Sequence, residues 1–210
     1  MVPIFTSVLV STIGYGISFP LLSISLESMA ISGQLIGVNV AMPALGWLIG
    51  SFFLPGLLSK FGLKQVLIAC LLIACVSIFL FSMTSNLLAW MILRFFFGGS
   101  LGLFYRAVEF WVNAVSQNKT RGRNIGVYSF CFVLGLAIGS SIQPLLGITG
   151  ALPFAVISAL LALTILIVAK QSYGDAVIIS DTRMYFKLGI VLVTPIALAA
   201  VFAYGFFEDI

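Results

Sequence analysis

LLAWMILRFFFGGSLGLFYRAVEFWVNAVSQNKTRGR, residues 87–123, decides the fold. Its first part, 87–107, is apolar, aromatic or small except for Arg94 and Arg106, and about 20 helical residues cross a hydrocarbon core of about 30 Å. The remainder turns polar and then basic, through Glu109 and Asn113 to Lys119, Arg121 and Arg123 around Gly122. A membrane span that runs into a short basic turn is the pattern these residues predict.

The same alternation extends in both directions. The 210 residues are 61% hydrophobic and 8% charged, whereas a soluble domain carries about 25% charged residues. Turn and charge punctuation separates six full spans, at about 4–26, 35–58, 66–83, 87–107, 125–146 and 150–169, with a seventh candidate between Lys187 and Ile210. The stretch 170–186, with Asp175, Asp181 and Arg183, is the longest connection and the only internal boundary the sequence offers. The first span lacks a positive n-region and a cleavage site, so it reads as an uncleaved span. Connections after the second, fourth and sixth spans hold Lys60, Lys64, Lys119, Arg121, Arg123, Lys170, Arg183 and Lys187, while those after the first, third and fifth hold no Lys or Arg. The positive-inside rule therefore expects these loops and the N-terminus in the cytoplasm.

Composition also excludes chemistry. The chain has no histidine, which removes HExxH zinc sites, Ser-His dyads and histidine-ligated haem. Cys70, Cys75 and Cys131 sit singly in apolar runs and read as packing residues, so no metal site, cofactor or catalytic group is expected. The net charge of +4 is spent on topology signals rather than on nucleic acid. Lipid and a small solute are the expected partners.

Arg94 lies about 12 Å deep in its span, where an arginine costs about 2.5 kcal/mol or more unless it faces protein or water. It is either a structural residue capping carbonyls or a cavity residue paired with an anion or another helix. Arg106 and Glu109 stand three apart, which lets them pair near the membrane surface, as a depth anchor or as a gate latch. Gly46/Gly50 and Gly135/Gly139 have the spacing of close helix contacts. Gln143 beside Pro144 either ends the fifth span or offers a polar group to a cavity.

Several stretches carry a resemblance. LLSKFGLKQVL, residues 57–67, is similar to the loop signature G-x-L-a-D-R-x-G-R-K-x-x-L of the major facilitator superfamily through Leu57, Lys60, Gly62, Lys64 and Leu67; Pro55, Ser59 and Leu63 depart from it. Arg94 and Gly98 resemble that family's fourth-helix arginine-glycine motif. Glu109, Trp111, Thr120, Arg121, Gly122, Arg123 and Tyr128 resemble a YcaD-like bacterial branch. The family's glycine-proline antiporter motif is not reproduced, since Ser140 follows Gly139.

The resemblance implies an all-α membrane protein: a six-helix N-terminal bundle of the major facilitator fold over 1–169, a cytoplasmic inter-bundle loop over 170–186, and the start of a second bundle, an incomplete seventh helix, over 187–210. It implies a secondary active transporter of a small solute, with or without a coupling ion, working by alternating access in a bacterial inner membrane. Arg94, Gly98 and Gln143 are then the substrate or cavity candidates. Lys60, Gly62, Lys64, Arg106, Glu109, Arg121 and Arg123 are the cytoplasmic loop and gate candidates. Because members have two bundles, the chain is expected to be a truncated transporter that lacks its C-terminal bundle. The alternatives are a half-size transporter working as a homodimer, with a second copy as partner, and a structural membrane protein without transport.

Overall fold

A computed structural model describes residues 1–148, 150–171 and 173. These form five long helices: α1 (Val2–Ser28), α2 (Gly33–Phe81), α3 (Leu87–Val115), α4 (Arg121–Leu146) and α5 (Leu152–Ala169). The proline near the start of α1 and of α5 costs no hydrogen bond there, since the first amides of a helix have no partner within it. Asn86 caps α3 by accepting from the Ala89 amide at 3.1 Å, and the Trp90 indole donates to the Thr84 carbonyl at 2.7 Å.

The expected spans 35–58 and 66–83 both lie within α2, so the helix count differs from the six-plus-partial expectation. At 1.5 Å per residue the 49 residues of α2 would extend roughly 73 Å, more than twice a hydrocarbon core. A break divides it at Gly62, where φ is 75° and ψ is 163°. Only glycine reaches that conformation without strain. Helix-forming residues on either side let the helix resume at once, which is why no separate loop appears where the sequence suggests one. The expected seventh helix lies outside the described residues.

Helix pairing is not sequential. The first half of α2 lies along α3, α1 lies along α4, and α5 packs on α1 and on α2, with the Cys75 thiol facing the Ser158 carbonyl at 4.0 Å. Both long pairs are parallel, because contacts advance together along the two members. Asn39 meets Arg94, Pro43 meets Gly98, Gly46 meets Gly99, and Trp47 meets Gly102. Likewise Thr12 meets Gly135, Ile13 and Ile17 meet Gly139, and Ser140 donates to the Gly16 carbonyl at 3.2 Å. Parallel pairing brings the Gly62 break, the turn between α3 and α4, the N-terminus and the end of α5 to one face of the bundle. Lys60, Lys64, Lys119, Arg121, Arg123 and Lys170 therefore share that face.

The core is a contiguous aliphatic and aromatic cluster that includes Ile17, Leu21, Leu67, Leu71, Phe97 and Phe104. The periphery is equally apolar, with Phe52, Phe53, Phe79, Phe96 and Phe130 exposed, as a helix bundle in lipid requires. Helix α1 buries a row of hydroxyls, and each is satisfied within its own helix. Ser7 donates to the Ile4 carbonyl, Ser11 to Ser7, Thr12 to Val8, Ser18 to Tyr15 and Ser25 to Leu21, at 2.6 to 2.8 Å.

Candidate functional site

Arg94 projects from α3 into the bundle interior and is 2% exposed. Its Nη1 donates to Asn39 Oδ1 at 2.8 Å, across to α2. The partner is a neutral side-chain amide on another helix, neither an anion nor a backbone carbonyl. Sequence reasoning passed over Asn39, though an amide in the apolar run LIGVNVAMPALG is the available signal, because a span tolerates such a group only where it finds a partner. The Asn39 Nδ2 is buried without a hydrogen bond.

Tyr15 of α1 completes the neighbourhood, within electrostatic reach of the Arg94 guanidinium. Its ring centroid stands 6.0 Å from Phe97, 6.2 Å from Tyr105 and 5.1 Å from Phe19. Tyr105 is buried and its hydroxyl makes no hydrogen bond of sound geometry, although the Ser11 hydroxyl lies beside it. Helices α1, α2 and α3 thus contribute to one polar-aromatic cluster inside the spans.

The other cavity candidates lie apart from an open space. Gly98 faces the Pro43 ring, where any Cβ would overlap it, so this glycine sets the approach of α3 to α2. Gln143 is buried on α4 and its Nε2 donates to the Gly147 carbonyl at 3.4 Å, closing the helix end.

Toward the basic face, Arg106 and Glu109 form the expected pair, with Nη1 3.2 Å from Oε2. Both side chains are partly exposed, which limits such a pair to about 0–1 kcal/mol. The guanidinium also lies 5.9 Å from the Trp47 ring centroid and so reaches α2. Tyr128 of α4 donates to the Tyr105 carbonyl at 3.0 Å and ties α4 to α3. Tyr128→Phe is expected to lower thermal stability by about 1 kcal/mol, read as a shifted unfolding midpoint in detergent.

Lys60 is exposed, with its ammonium 5.2 Å from the Phe61 centroid, and Lys64 is half-buried two residues beyond the Gly62 break. Arg123 is exposed, while Arg121 is half-buried with its Nε unpartnered. Sequence reading missed Tyr173, which is buried with its ring 5.5 Å from Trp111. Burial pushes this phenol up to about 12. Because its folded-state value is raised, its contribution should be full below pH 10 and fall as pH rises toward 12. Tyr173→Phe should remove that alkaline loss, measured by unfolding midpoints between pH 8 and about 12.

Among the described residues no group of His, Cys, Asp and Glu could hold a metal ion. The chain matches the family model "Major Facilitator Superfamily" over residues 4–207. It is 31% identical to the uncharacterized MFS-type transporter YfkF of Bacillus subtilis, across 70% of this chain and 38% of that protein. It is 24% identical to the quinolone resistance protein NorA of Staphylococcus aureus, across 92% of this chain and 52% of that protein. The chain thus spans about half, or less, of the length of these curated relatives. The structure of the proton:xylose symporter XylE bound to 6-bromo-6-deoxy-D-glucose aligns with a TM-score of 0.69 at 16% identity, over 96% of this chain and 52% of that one. The inward-open xylose transporter XylE from E. coli aligns at 0.66, over 99% and 55%. At that identity the likeness is one of fold.

Proposed function

Because this chain belongs to the Major Facilitator Superfamily, we propose that it forms one bundle of a secondary transporter that moves a small solute by alternating access. The observation that carries this reading is the buried guanidinium of Arg94, held in the span interior by one neutral amide and within electrostatic reach of Tyr15. Ionisable groups at membrane depth mark solute and ion paths by default. Counting the two halves of α2 separately, the bundle has six crossings. Basic residues gathered on one face support a cytoplasmic N-terminus in a bacterial inner membrane. The Glu109, Trp111 and Thr120–Arg123 stretch supports a place in a YcaD-like branch of the family.

Arg94 is then the residue on which solute movement depends. Gly98 sets the packing around it, and Gln143 shapes the far end of α4. The loop and gate candidates are Lys60, Gly62 and Lys64 at the break in α2, with Arg106, Glu109, Arg121 and Arg123 at the junction of α3 and α4. The name of NorA supports testing quinolones first among solutes. Proteoliposomes holding the intact protein should move a labelled quinolone or another tested solute when a proton or sodium gradient is imposed, and collapse of the gradient should stop it. No movement of any tested solute under either gradient would refute the reading.

The length relation supports a second arrangement, in which a second copy of this chain completes the transporter. Mass in the native membrane separates the two. A band near twice 22.5 kDa supports one chain with two bundles, and a 22.5 kDa band that cross-links to a dimer supports two copies.

A further inference from the structure

Past the end of α5 the chain crosses to a different helix. The last residue of α5 is Ala169, and the Gln171 amide still donates to the Val168 carbonyl at 3.2 Å, just before Tyr173. Helix α5 itself packs on α1 and α2, whereas Tyr173 meets Trp111 of α3, edge to face, with 5.5 Å between ring centroids and 80° between planes. Tyr173 is 6% exposed and Trp111 8%, and both belong to the contiguous core. The first residues beyond α5 thus fasten it to the basic-face end of α3, two residues past Glu109.

This fastening lacks the hydrogen bonds that hold two other buried aromatic groups of the bundle. The Trp90 indole donates to the Thr84 carbonyl at 2.7 Å, and the Tyr128 hydroxyl to the Tyr105 carbonyl at 3.0 Å. By contrast, Trp111 Nε1 and the Tyr173 hydroxyl are buried and bond to nothing, and Gln171 Oε1 on the same short stretch is a third such atom. Buried polar groups are ordinarily paired, and an unpaired one forfeits its hydration. Ring packing and apolar burial draw the contact together, while the stranded polar ends work against it. Detaching the stretch returns those ends to water, so its closed and open forms lie closer in free energy than those of an all-apolar contact.

We infer that the contact between Tyr173 and Trp111 is a releasable latch, which ties the chain leaving α5 to α3 when closed and frees the basic-face end of the bundle when open. Its place in a working cycle rests on the transport reading; its opening does not.

Trypsin reads the opening directly in the intact protein in detergent. Lys170 is exposed, but a protease needs an extended stretch on both sides of the bond, so the cut after Lys170, identified by fragment mass, follows the open population. Tyr173→Phe keeps the ring and removes the stranded hydroxyl, and it should slow this cut by about fivefold or more. Tyr173→Ala removes the ring and should speed it by about tenfold or more. An unchanged or faster cut in Tyr173→Phe would overturn the latch, because a hydroxyl whose loss does not tighten the contact is not stranded. A second measurement tests the cycle. With Cys70, Cys75 and Cys131 replaced by alanine, Trp111→Cys and Tyr173→Cys are combined and joined by a short bis-maleimide, which holds the contact closed. Solute flux in proteoliposomes should fall to background on joining, and flux that survives would overturn release as a step of the cycle. If the unjoined protein moves no solute, the transport reading fails and the cutting rates alone decide the latch.

Discussion

Gly46→Leu is expected to yield no recoverable folded protein. A Cβ at Gly46 would overlap the Phe95 carbonyl oxygen and lie 3.0 Å from the Gly99 Cα, and both obstacles are backbone. Side chains can change rotamer, but two helix backbones held in register cannot part at one point without parting along the seam. Asn39·Arg94, Pro43·Gly98 and Trp47·Gly102 lie on that seam, so separating it forfeits several contacts together. Overpacking of this kind costs about 3 kcal/mol or more, a large share of ordinary stability. Gly56→Leu is the control on the same helix, because a Cβ there meets nothing within 4 Å. Gel filtration after detergent extraction should show a monodisperse peak for Gly56→Leu and only void-volume material for Gly46→Leu. A normal peak for Gly46→Leu would show that the helices are further apart than the structure has them.

Substitutions at Arg94 and Asn39 should separate folding from solute movement. Arg94→Met leaves the Asn39 amide buried with neither end paired, a loss of about 1–3 kcal/mol. Adding Asn39→Leu removes the stranded amide and replaces the polar pair with apolar packing, which is often neutral or stabilising. The double variant should regain the unfolding midpoint of the parent while solute flux in proteoliposomes stays at background. Flux that returns with stability would reduce Arg94 to a structural residue. Stability that fails to return would mean that the pair also supports the neighbouring tyrosines.

How much of this was legible in the sequence depends on the kind of contact. Span positions follow from runs of apolar residues long enough to cross a membrane, and the structure places helices on 4–26, 87–107 and 125–146 accordingly. The pairing of Arg106 with Glu109 was legible because both lie on one helix, where spacing fixes distance. The Arg94–Asn39 bond was not, since the two are 55 residues apart and only the parallel register of α2 and α3 brings them together. The glycine spacings gave a similar half-answer. Gly46 and Gly50 announced a close contact, but nothing local says that Phe95, Gly99 and Leu103 are the surfaces approached. Tyr173 stayed hidden for the opposite reason: it lies in a charged stretch, where a solvated loop is the natural expectation, and its burial comes from Trp111 on another element.

The order of pairing bears on how the chain is made. Helix α1 leaves the ribosome before its long partner α4, which begins 119 residues later, from Val2 to Arg121. At about 5–20 residues per second, roughly 6–24 s of synthesis separate the two. Throughout that interval the serines and threonine of α1 must sit in lipid or in the insertion machinery without their long partner α4. Their hydroxyls are already satisfied by carbonyls one turn back, so α1 can wait without exposing an unpaired donor. A polar stripe that needed α4 for its hydrogen bonds would make early insertion costly; this one ties biogenesis to the helix alone and leaves assembly for later.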